Sequence, residues 1–110
     1  MAENALVVLS TFGNPDEARR IARTLVEEHF AACANLLPAV ESIYHWKGQV
    51  ETSSEIMVVF KTTTDRYWPL EKRLRELHPY EVPEIIALRV HAGLPAYLRW
   101  IDDCCLPPLK

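Results

Sequence analysis

At 110 residues, 49% of them hydrophobic and 25% charged, the chain has the size and make-up of one globular domain spanning 1–110. A formal net charge of -3 and the absence of any basic stripe argue against nucleic acid as a partner, and no apolar run reaches the roughly 20 residues needed to cross a bilayer. Three cysteines, an odd number with Cys104 and Cys105 adjacent, do not make a disulfide framework, so the chain reads as a reduced, cytoplasmic protein.

The opening MAENALVVLSTF begins acidic, and its apolar run is too short for a secretory leader; Ala5 to Thr11 reads as a first strand. Asn14, Pro15 and Glu17 then carry a helix start: a capping side chain, a proline at the first helical position and an acid three residues after the cap. Ala18, Ile21, Ala22, Leu25, Val26 and Phe30 follow helical spacing, and the arginines and glutamates between them take the wet face. Ala31 to Leu37 is small and apolar and is expected to end as a strand at Pro38. Val40 to Trp46 alternates, Lys47-Gly48 suits a turn, and Val50 to Thr62 returns, giving a long hairpin with a polar outer half.

A second helix follows Thr64-Asp65 along Leu70, Leu74 and Leu77, with Pro69 expected in or near its first turn. Pro79 ends it and pushes His78 toward extended backbone. Glu84 to His91 reads as a last strand. Ala96 to Asp103 reads as a short helix that brings Tyr97, Trp100 and Ile101 onto the body.

The order β-α-β-β-α-β with right-handed crossovers gives an α+β, ferredoxin-like fold: an antiparallel sheet with its helices on one face. The other face stays bare, yet the strands are apolar on both sides. A homo-oligomer is the expected cover.

The stretches AACANLLPAVESIYHWKGQVE, KTT from Lys61, HPYEVPEII and YLRWI resemble the CutA proteins, the divalent-cation tolerance family, in order from about Val7 to Ile101. The resemblance implies a ferredoxin-like domain in a compact homotrimer, with hairpins reaching across neighbouring subunits. It also implies a link to copper or another divalent cation, with no cofactor required. The bacterial family member usually described as copper-binding carries a cysteine at the end of the first strand and a histidine pair before the proline-tyrosine. Here Ser10 and Leu77-His78 stand in those places, so His78 is the one metal candidate the resemblance leaves.

Within HPYEVPE, Glu81 and Glu84 offer oxygen donors, but a copper or zinc site needs further nitrogen or sulfur. Both prolines have structural reasons, a helix stop and a strand entry. Cys33 suits a small buried position, and no HxxxH or CxxC pattern appears. Tyr44, Trp46, Glu55, Lys61, Tyr97 and Trp100 form a second candidate, an intersubunit pocket for a small anion or, on the bland reading, a set of interface anchors. With no nucleophile elbow, hydrolase motif or phosphate loop, no catalysis is expected. The reading is a metal-tolerance protein that acts by binding. The alternatives are a trimeric PII-like small-molecule sensor and a protein-binding scaffold.

Overall fold

The computed structural model describes residues 4–106. Its elements are β1 (Ala5–Phe12), α1 (Pro15–Glu27), β2 (Cys33–Trp46), β3 (Gln49–Thr63), α2 (Thr64–Leu77), β4 (Ile86–Arg89) and α3 (Pro95–Cys104). The strands form one antiparallel sheet in the order β2-β3-β1-β4, which is the ferredoxin-like topology expected. The α1 start follows its sequence signal: the Glu17 N–H donates to Asn14 Oδ1 at 3.0 Å, and Pro15 occupies the first turn.

Alternation along the strands divides the sheet into two unlike faces. Val8 and Phe12 of β1 and Val58 and Phe60 of β3 point to one side, fully buried beneath Ile21 and Leu25 of α1 and Leu70 and Leu74 of α2. The opposite side carries Leu9, Met57, Val59, Leu37, Ile86 and Leu88, brought together by the registers Leu9↔Ile86, Val7↔Leu88 and Leu37↔Met57. Among the described residues no helix covers its centre, and Ile86 and Leu88 are half exposed. A smaller cluster, Ala5, Ala32, Leu98, Ile101 and Cys105, seats α3 at the end of the sheet.

Several expectations change. Pro38 does not end a strand: Pro38 and Ala39 together face Ile56 in a β-bulge, with Ala39 at φ 60°, and β2 continues to Trp46. An edge strand tolerates this, because the missing N–H of Pro38 was not needed by a second neighbour. Pro69 lies near the first turn of α2, as expected, but as its sixth residue it sits where the helix forgoes one backbone bond. The last strand is shorter than expected, Ile86–Arg89 rather than Glu84 to His91. On α3, Leu98 and Ile101 are buried against the body, while Tyr97 and Trp100 are each 42% exposed and Tyr97 reaches the body only through its hydroxyl at Cys33. Cys33 is half-buried rather than buried.

The hairpin turn is Lys47-Gly48, with φ of 50° and 79°. Positive φ at both positions makes a two-residue turn whose twist matches the strands. Seven residue pairs, Val40↔Glu55 to Trp46↔Gln49, extend past the last β1 pair, Phe12↔Ile56. At about 3.4 Å per residue this arm projects roughly 20 Å from the body.

Candidate functional site

The arm leaves the sheet beside the segment that follows α2, and the two enclose a cleft of about 720 Å³. Tyr44 and Trp46 line it from β2, Tyr80 and Glu84 from the segment, and Thr11 and Glu55 from the sheet. Register places Glu55 on the same side as Met57 and Thr11, so the cleft opens on the uncovered face. Glu55 is only 7% exposed, and the Tyr80 hydroxyl donates to its Oε2 at 2.6 Å. Burial, together with this bond to a carboxylate, raises the Tyr80 phenol well above its ordinary pKa. Gly13 makes room for the contact: a Cβ there would lie 3.2 Å from the Tyr80 hydroxyl. Across the arm, the Tyr44 and Ser53 hydroxyls are 3.3 Å apart.

His78 holds this segment to the body. Its ring stacks on Phe12 at 4.3 Å, and Nε2 lies 2.9 Å from the Thr11 carbonyl oxygen. A carbonyl only accepts, so Nε2 carries the proton. Nδ1 then accepts the Tyr80 N–H at 3.2 Å. Burial lowers the His78 pKa, against the opposing pull of the Thr11 carbonyl, Glu17 and Glu55. Both ring nitrogens are therefore engaged within the chain. A metal would have to displace Tyr80 from Nδ1 to use it. Ser10 faces the helices, fully buried, and its hydroxyl has no partner among the described residues. No group of three or more His, Cys, Asp or Glu able to hold a metal occurs among the described residues. One chain as folded thus offers no ready divalent-ion site at His78.

The six aromatic and charged candidates do not converge within one chain. Tyr44, Trp46 and Glu55 line the cleft. Lys61 lies six residues farther along β3, about 20 Å away by strand rise, where its ammonium donates to Asn35 Oδ1. Tyr97 stacks on Trp100 at 5.4 Å, and its hydroxyl is 3.8 Å from Cys33 Sγ. This contact, with some burial, raises the Tyr97 pKa. What the sequence reading missed was the partnership of Glu55 with Tyr80. Its one signal was a carboxylate heading the apolar run Ile56–Phe60, at a register position that faces the sheet's open side.

The model of the family described as "CutA1 divalent ion tolerance protein" matches residues 6–104. This chain belongs to the CutA family. A divalent-cation tolerance protein CutA of Thermus thermophilus is 46% identical over 97 residues, covering 88% of this chain and 94% of that one. The mouse protein CutA is also 46% identical, over 93 residues, but this chain spans only 52% of its length. Among solved structures, CutA from Xylella fastidiosa superposes with a TM-score of 0.90 at 40% identity, covering 93% of this chain and 98% of that one. The family match runs through every element described, from β1 to α3.

Proposed function

We propose that this CutA-family chain serves divalent-cation tolerance as a binding protein, not an enzyme, and that it works in the cytoplasm as a homotrimer. Its membership of a divalent ion tolerance family carries the reading. Assembly is supported by the protruding arm and by the apolar face of Leu9, Met57, Val59, Ile86 and Leu88, of which Ile86 and Leu88 are half exposed. Because both His78 nitrogens are used internally, copper or another divalent cation is best held by donors drawn from more than one chain, with His78 entering only if Tyr80 lets go. A Lys61-centred anion sensor is less favoured, since Lys61 is bound to Asn35 and lies outside the cleft.

Light scattering is expected to give three times the chain mass; a monomer at micromolar concentration overturns the assembly. Calorimetric titration of the reduced, metal-free protein with Cu(II), beside His78→Ala, is expected to show saturable binding that survives the substitution. Absence of saturable binding by copper and other divalent ions overturns the tolerance-by-binding reading. Loss in the variant alone would place the ion on His78.

A further inference from the structure

The helices present a second surface, on the opposite side of the sheet from the open apolar face. Leu70 and Leu74 of α2 are fully buried against the sheet, so the residues half a turn round point out to solvent. These are Asp65, Trp68, Lys72 and Arg75, spaced three, four and three apart, and all four are exposed. Such spacing keeps one seam along a helix, the kind along which two helices pack. Trp68 is 71% exposed, more than any other aromatic side chain among the described residues. Its ring meets Tyr67 edge-on at 5.0 Å, and no cation among the described residues lies over its face.

The charges on this seam differ from those on the rest of the helix layer. Arg19, Arg20 and Arg23 of α1 pair with Asp16, Glu17 and Glu27, and Arg73 of α2 pairs with Glu28 and Glu76. Glu71 accepts the Tyr67 hydroxyl. Asp65, Lys72 and Arg75 have no ion pair among the described residues. The seam thus has a negative end, an aromatic ring and a positive end.

That order is its own complement. Residues 65 and 75, and residues 68 and 72, lie equally far from position 70. When two α2 helices run antiparallel about a two-fold axis at that level, Asp65 of each meets Arg75 of the other, and Trp68 of each meets Lys72 of the other. All four contacts are favourable together: two ion pairs, and two ammonium groups over tryptophan rings. A parallel pair would set Lys72 against Lys72 and Arg75 against Arg75, which repels. An acidic segment or any polyanion would suit Lys72 and Arg75 but would set a like charge against Asp65. One helix face is small beside the roughly 1,200 Å² of a stable interface, so the contact is weak.

We propose that the outer seam of α2 is a self-association site, on which a second copy of this chain docks antiparallel through Asp65–Arg75 and Trp68–Lys72 contacts. It lies across the sheet from the open apolar face, so it joins one assembly to another rather than building the trimer proposed above.

The test is sedimentation equilibrium of the full chain in low salt, from about 10 µM to about 1 mM, where a small polar interface associates. The mass at the lowest concentration reports the basic assembly separately. Above it, mass should rise with concentration, and about 0.5 M salt should weaken the rise. Asp65→Arg alone and Arg75→Asp alone each put like charges at both ends of the seam, and each should weaken association by at least about tenfold. Mixed in equal amounts, the two variants are complementary again and should associate with each other about as well as the parent does. A purely structural role for either residue gives no such recovery. Trp68→Ala should also weaken association, and it decides the matter if a charge variant loses its helices by circular dichroism. A mass independent of concentration, association unchanged by Trp68→Ala or by either charge variant, or failure of the folded mixture to associate overturns the proposal.

Discussion

The two strands of the arm, β2 and β3, also run through the body, and the two regions obey opposite rules. Along β3, Ile56, Val58 and Phe60 are buried beneath two helices, while on the arm Ile43 and Val50 are 68% and 67% exposed. The same two strands pair in both regions, with the bulge at Pro38-Ala39 marking the junction; what differs is the presence of a second layer. A two-stranded ribbon alone in water is marginally stable at best. The body therefore accounts for its own existence, and the arm does not. A segment of seven residue pairs with exposed isoleucine, valine, tyrosine and tryptophan points to a surface it has yet to meet.

That contrast can be broken by mutation. Phe60→Ala empties a fully buried site between sheet and helices and should lower the unfolding free energy by about 3–5 kcal/mol, read from denaturant curves. Ile43→Ser with Val50→Ser removes comparable apolar surface from the arm. It should leave far-ultraviolet circular dichroism unchanged and instead reduce the mass seen by light scattering. A double variant that keeps its mass while the fold melts as early as Phe60→Ala would mean that the arm belongs to the body's core.

The division between body and arm also explains how much could be read beforehand. Helix α1 was legible because its cap, proline and 3.6-residue apolar spacing agree with one another. The sheet order followed from the element order and the handedness of crossovers. The bulge at Pro38-Ala39 was not legible: proline marks a strand end as readily as an edge irregularity, and only pairing with β3 decides between them. The choice of Leu98 over Tyr97 and Trp100 for the core was hidden for a related reason. A ten-residue helix offers two apolar stripes, and its seat on Ala5 and Ala32, distant in sequence, selects one. HPYEVPE was the hardest stretch. The roles of His78 and Tyr80 are set by Thr11 and Glu55, 67 and 25 residues away, and no local pattern encodes such partners.

A smaller effect is expected at that junction. The folded state holds His78 neutral with a lowered pKa, because burial penalises its charge and Nδ1 must accept the Tyr80 N–H. The unfolded chain has an ordinary histidine, near 6.5. Below that value the unfolded state binds more protons, so stability falls as pH falls, until the folded group also titrates. Denaturant midpoints should drop between pH 7.5 and 5.5. His78→Gln, which retains a donor toward Thr11 but does not titrate, should flatten the dependence. An identical slope in the variant would place the acid sensitivity elsewhere.

The smallest effect belongs to Ser10, and it separates a leftover from a requirement. This hydroxyl lies in the body beside Val58, fully buried and without a partner among the described residues, where an unpaired polar atom is costly. Ser10→Ala removes the atom without adding volume. If the hydroxyl is unpaired in solution, the variant should be more stable by up to about 1 kcal/mol, visible as a higher denaturant midpoint at unchanged slope. The mass seen by light scattering and the response to Cu(II) should match those of the parent protein, since Ser10 faces the helices and not the cleft. Destabilisation would mean that the hydroxyl is paired in solution. Stabilisation with loss of Cu(II) binding would mean that the body keeps an unpaired oxygen at the end of β1 for the sake of the ion, and that the functional contrast between body and arm is drawn in the wrong place.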